Sequence, residues 1–217
     1  MIHLLQQGEW VLFAVIIAAL VISLSFHEFG HAWVAKQFGD DTAERAGRLT
    51  INPRAHIDPM GLLMVVMVGF GYAKPVPTDP RQFTSRYADL LVAAAGPGMN
   101  LLLAAVTINF YALGLKMGWT LFQQPGPEDF FYFLTLINLV LMLFNLLPIG
   151  PLDGHYILPY FLPRRLASLY RFYNHRYGNW LLLLLVFLMV LGVPVFQSIR
   201  GFSWEMMHWI AFLPLPY

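Results

Sequence analysis

His27-Glu28-Phe29-Gly30-His31 sets two histidines four residues apart with a glutamate beside the first. On an α-helix, positions i and i+4 share a face, so both imidazoles can reach one metal ion while Glu28 stands next to them as a base. Zinc held in this way lowers the pKa of its water to about 7, which makes HExxH a device for turning water into a nucleophile. Arising by chance in a soluble helix, the same five residues would usually be a solvated face of no consequence. Here they follow a run, residues 10–26, that carries no charged side chain and is long enough to reach across most of a bilayer. An ionisable group near mid-bilayer costs about 2.5–3.5 kcal/mol on insertion scales, so three polar groups at the end of such a run need a compensating partner. A bound cation is one; the metal-free alternative is a polar patch between packed helices.

The elements that must position this cluster are membrane helices by composition. Of 217 residues, 58% are hydrophobic and 12% charged, against about 45–50% and 25% in soluble domains. The 18 Phe, 10 Tyr and 6 Trp suit interfacial belts and lipid-facing packing, and a net charge of +1 gives no footing for nucleic acid. With no cysteine, the chain has no thiolate nucleophile, disulfide or Cys-ligated zinc, so a metal must bind through His, Asp, Glu or carbonyls. The first residues lack the basic stretch of a signal peptide.

Four apolar stretches have span length: residues 10–34, 90–115, 130–147 and 180–196. Residues 202–213, interrupted by Glu205 and His208, read as an interfacial helix or a loosely packed end. Eleven of the thirteen basic residues fall between the first and second spans or between the third and fourth. Those loops are expected to be cytoplasmic, with both termini outside and the metal-binding end of the first span facing the cytoplasm. Residues 47–82 carry five prolines and four glycines. Within them the seven apolar residues 62–68 are too few to span, and a short β-hairpin or re-entrant strand bordering the active cavity is expected. The fold class is an all-α polytopic membrane protein, with a three-helix core, one further span and this small β element. One membrane-embedded domain covers 1–217, with a core of about 10–155.

Catalytic zinc usually takes three protein ligands and leaves a position for water. Candidates for the third on the cytoplasmic side are His56, Asp58, Asp79, Asp89, Asp153 and His155. Asp153 is best placed, at the end of the third span in Asn145-Leu-Leu-Pro-Ile-Gly-Pro-Leu-Asp153-Gly154, where Pro148 and Pro151 break the helix.

Together, the HExxH motif, Gly96-Pro97-Gly98-Met99-Asn100 in the second span and the string from Asn145 to Gly154 resemble the site-two protease family of intramembrane zinc metalloproteases. The stretches Asn52-Pro53 to Gly61 and Gly71 to Pro77 resemble the loop of its compact bacterial members. The resemblance implies that His27, His31 and Asp153 bind one Zn2+, that Glu28 is the general base, and that Asn145 engages substrate or stabilises the oxyanion. Unlike larger relatives, the chain shows no span before HExxH and no PDZ domain. The implied activity is hydrolysis of peptide bonds in transmembrane segments of membrane proteins near the cytoplasmic leaflet of the inner (cell) membrane, with the lipid bilayer and membrane-protein substrates as partners. The alternative is a non-proteolytic membrane scaffold or metal-binding protein; a metal transporter would spread its charges through several spans. Asn100 reads equally as helix-packing glue or a substrate contact, His56 as a hydrogen-bonded loop histidine or an auxiliary ligand, and His155 as a group orienting Asp153 or lying in the cavity mouth.

Overall fold

A computed structural model describes residues 1–215. The described residues form ten α-helices and no strand. A short α1 (Ile2–Gln6) precedes α2 (Trp10–Gln37), then two one-turn pieces, α3 (Thr42–Arg45) and α4 (Pro53–His56), and the apolar α5 (Pro59–Val68). The long α6 (Ala88–Lys116) and α7 (Pro125–Asn145) follow, with α8 (Asp153–Ile157), α9 (Arg164–Val190) and α10 (Val195–Ile210) completing the chain. By length and composition α2, α6 and α7 can cross a membrane; α9 and α10 reach that composition as a pair, bent by 86° at the break between them. The bend falls where Gly192 adopts φ +95° and Pro194 lacks an N–H.

The three core helices pack on one another through small residues. Helix α2 buries Ala19, Ser23, Gly30, Ala32 and Ala35, and α6 buries Ala93, Gly96, Asn100 and Ala104. Without a hydrophobic drive between helices in lipid, such close approach supplies the packing energy. Gly30 shows how close it is: a Cβ there would stand 2.7 Å from the Ala95 carbonyl oxygen. On another face of α6, Leu102, Val106, Phe110 and Leu113 are exposed. An apolar surface of this extent suits lipid. Away from the HExxH motif, Tyr111, Phe122 and Phe131 cluster with Ile108, Leu139 and Met207.

Two expectations need correction. Residues 62–68 are helical, within α5, and form no β-hairpin. Asp58 caps the helix by accepting the N–H groups of Met60 and Gly61, Pro59 opens it, and Gly69 closes it in the left-handed region. Surrounded by apolar side chains, this backbone satisfies its own groups more fully as a helix than as an unpaired strand. The stretch 180–196 is the second half of α9, which begins at Arg164 and stops at Val190. A composition window sees the apolar half alone, yet Gly178 is the one glycine between Pro163 and Gly192 and no proline intervenes. Residues 202–210 belong to α10, whose Met207 is fully buried against α6 and α7.

Candidate metal centre

Helix α2 continues for six residues past His31, so both histidines sit inside regular helix and share one face. Helix α7 ends at Asn145, the chain turns through residues 146–152, and Asp153 begins α8. Gly154 makes the return tight: a Cβ there would stand 2.2 Å from the Leu146 carbonyl oxygen. The result is a triangle. His27 Nε2 lies 3.1 Å from His31 Nε2 and 3.2 Å from Asp153 Oδ2, and His31 Nε2 lies 3.4 Å from Asp153 Oδ1. Among the described residues, these three are the His, Asp or Glu side chains close enough to share a metal ion.

The outer nitrogens fix which ring atoms face inward. His31 Nδ1 is 2.7 Å from the Val92 carbonyl oxygen, an acceptor only, so Nδ1 carries the proton. For His27 the argument passes through two buried amides. Asn138 Nδ2 donates to the Leu134 carbonyl at 2.7 Å and to Ser23 Oγ at 2.8 Å, which turns its Oδ1 toward Asn100. Asn100 Nδ2 donates to that oxygen at 2.7 Å and to the Ser23 carbonyl at 3.1 Å, which leaves Asn100 Oδ1 to accept from His27 Nδ1 at 2.5 Å. In the neutral rings both Nε2 atoms therefore present bare lone pairs to each other and to a carboxylate, a repulsive arrangement unless a cation lies among them. Asp153 Oδ2 is buried without a hydrogen-bond partner. Ligand atoms 2.0–2.1 Å from zinc at tetrahedral angles lie about 3.3–3.4 Å apart, close to the three edges found. Gly96 keeps the space open, since a Cβ there would stand 2.3 Å from His31 Nε2 and 2.7 Å from His27 Cε1. The donor set fits zinc.

Glu28 is buried beside this triangle, and its Oε2 accepts the backbone N–H of Val76 at 3.0 Å. Val76 belongs to an irregular segment, residues 70–79, tied down along its length. Lys74 N–H donates to the His56 carbonyl, buried Arg48 donates to the carbonyls of Lys74 and Pro75, and Asp79 N–H donates to buried Asp40. Asp79 itself is pulled down to about 2, first by the side-chain hydrogen bonds of Arg81.

The remaining candidates fall outside the triangle. Asn145 is half-buried and donates from Nδ2 to the Leu141 carbonyl one turn back, at 2.9 Å. His56 is fully buried and donates from Nε2 to the Thr50 carbonyl. His155 packs its ring on Tyr156 and Tyr170; burial, then the charges of Arg171 and His175, hold it below the ordinary histidine value. Asp58 is the cap of α5. Sequence reading passed over Ser23, Asn138, Arg48 and Asn174. Asn138 carried a usable signal, an amide in the middle of an apolar span; Arg48, in a loop rich in charge, carried none.

Residues 15–124 and 115–192 match the family model described as peptidase family M50. Relatives include YwhC of Bacillus subtilis, 42% identical over 153 residues, which is 68% of this chain and 69% of that protein. Rip2 of Mycobacterium tuberculosis is 32% identical over 212 residues, 91% of this chain and 73% of its own. The zinc metalloprotease MJ0392 of Methanocaldococcus jannaschii is 25% identical over 162 residues, 73% of this chain and 38% of its own. No solved structure matches. The chain belongs to peptidase family M50, the site-two protease group its motifs resemble, and is by that membership a zinc metallopeptidase of the membrane.

Proposed function

We propose that this chain is an intramembrane zinc endopeptidase that hydrolyses peptide bonds in transmembrane segments of membrane proteins near the cytoplasmic leaflet. The observation that carries the proposal is the lone-pair triangle of His27, His31 and Asp153, on the second half of a helix of membrane-spanning length and beside a buried glutamate. Those three side chains would hold one zinc ion per chain. When bound, the ion supplies a water of pKa about 7 and polarises the scissile carbonyl.

Glu28 then acts as the base. Val76 N–H holds Oε2, leaving the other carboxylate oxygen to take the proton from the attacking water and return it to the leaving amine. Asn145 has a second amide hydrogen beyond the one given to Leu141, and that hydrogen is the proposed donor to the developing oxyanion. A substrate helix hides its carbonyls in i to i−4 bonds, so a stretch of it must unwind before Glu28 and the metal ligands can act. The whole chain 1–217 works as one membrane domain in this reading. The cytoplasmic orientation, with both termini outside, rests on the clustering of basic residues from Lys36 to Arg86 and along the first half of α9.

The test is cleavage of a transmembrane substrate in liposomes, with the metal content of the same samples measured. Glu28→Gln should retain zinc while turnover falls about 10²–10⁴-fold. Undiminished cleavage by that variant would overturn the assignment of the base, and a wild-type protein that never takes up zinc would overturn the function.

A further inference from the structure

Helix α9 packs against the segment that follows α8, and a single face of it, Ala167, Asn174 and Gly178, is buried. What that face covers is the turn leading to Asp153. Asn174 Oδ1 accepts the Gly150 N–H at 3.0 Å, and Asn174 Nδ2 donates to the Gly150 carbonyl at 3.1 Å. One side-chain amide thus satisfies both backbone groups of one residue, as a neighbouring strand would. One turn earlier, the Tyr170 hydroxyl donates to the Pro148 carbonyl at 2.9 Å. One turn later, Gly178 lets the backbones meet: its Cβ would stand 2.8 Å from Gly150 Cα. Gly150 itself takes φ +61°, a conformation glycine adopts without strain.

Local hydrogen bonds shape this turn: Ile149 N–H to Leu147, Leu152 N–H to Ile149, and His155 N–H to Leu152. They fix its form but not its place. Buried Gly150, three residues before Asp153, is held from outside the core by α9.

We propose that Asn174, seconded by Tyr170 and Gly178, is a positioning residue for the metal centre, holding the turn that delivers Asp153 to His27 and His31. Helix α9 is then part of the frame of the site as well as a membrane anchor. The inference rests on the reading of Asp153 as a zinc ligand. Outer groups that orient metal ligands are typically worth about 10–100-fold in metal affinity.

The experiment measures zinc affinity of the purified full-length protein in detergent, by competition with a chromophoric chelator, together with the visible spectrum of the Co2+-loaded protein. Asn109 provides a matched control. It makes the same two-sided clasp, Nδ2 to the Ile210 carbonyl at 2.8 Å and Oδ1 from the Phe212 N–H at 2.7 Å, about 20 Å along α6 from Gly96. Asn174→Ala should weaken zinc at least tenfold and alter the Co2+ spectrum, whereas Asn109→Ala should lower the melting temperature with zinc affinity within about twofold of wild type. Should Asn174→Ala not fold, Asn174→Asp, which keeps the acceptor for Gly150 N–H, is read by the same criterion. Wild-type affinity in the Asn174 variant, or an equal loss in the Asn109 variant, overturns this inference alone. A wild-type chain that binds no zinc overturns the metal reading beneath it.

Discussion

Replacing Gly96 with alanine adds one methyl group where α6 passes the imidazoles. Its Cβ would stand 2.3 Å from His31 Nε2, 2.5 Å from His31 Cε1 and 2.7 Å from His27 Cε1, against an ordinary contact of at least 3.4 Å. Restoring that contact requires the rings or α6 to shift by about 1 Å, several times the roughly 0.2 Å a metal site tolerates. Helix propensity works in the opposite direction, since alanine stabilises a helix over glycine by about 0.5–1 kcal/mol. The variant should therefore fold and lose metal: zinc affinity down about 100-fold, equivalent to about 2.7 kcal/mol. Gly98→Ala is the control, because a Cβ there meets nothing within 4 Å, on the same helix and with the same gain in propensity. Zinc competition on both proteins in detergent, alongside helix content by circular dichroism, separates the two effects. Wild-type zinc affinity in Gly96→Ala, or an equal loss in Gly98→Ala, would refute the steric argument and with it the placement of the ion beneath Gly96.

Other perturbations read other parts of the site. Asn100→Leu leaves His27 Nδ1–H without its acceptor; intramembrane hydrogen bonds average about 0.6 kcal/mol, so the bundle should survive while zinc affinity falls about 10–100-fold. Equal affinity in that variant would mean the His27 tautomer is set by something else. Asp153→Ala leaves two imidazoles, and metal analysis of the purified protein should find the zinc gone with helicity retained. Stripping zinc from the wild type should lower its melting temperature, because an ion at 100 times its Kd adds about 2.7 kcal/mol to the folded state; an unchanged transition would argue against a folded-state site. Arg48→Ala frees the carbonyls of Lys74 and Pro75, so amide exchange across residues 70–79 should quicken while zinc affinity holds. Unchanged exchange there would show that the other ties suffice.

What could be read from the chain was governed by sequence distance. His27 and His31 are neighbours on a helix whatever surrounds them, so the spacing of two residue types was enough to bring them together. Three of the four long apolar runs became α2, α6 and α7 with ends displaced by a few residues, because a helix is the one local structure that hides its own backbone from lipid. That Asp153 comes to lie beside them could be expected for a related reason: a carboxylate beside two prolines at the end of a span has few bland explanations. The same rule applied to Asn138 would have pointed to the amide relay behind His27, yet one amide in an apolar run does not say which neighbour it will meet.

The parts that resisted reading are those where two remote segments decide each other. The irregular segment that returns past α5 fits only because Gly61 and Gly71 let backbones touch, with a Cβ on Gly61 standing 2.0 Å from the Tyr72 carbonyl oxygen. With that contact in place, α5 can lie as a helix against the chain that follows it. Viewed as an isolated run of seven apolar residues, partly β-branched, it scores as a strand just as readily. Arg48 offers a second instance. Loop arginines are ordinarily solvated, and its burial follows from the prolines at 75 and 77, which lack N–H groups and leave a segment whose carbonyls must be met by side chains. A polar site among membrane helices depends on such pairings, because every polar group brought there needs a partner in place of the water it leaves behind.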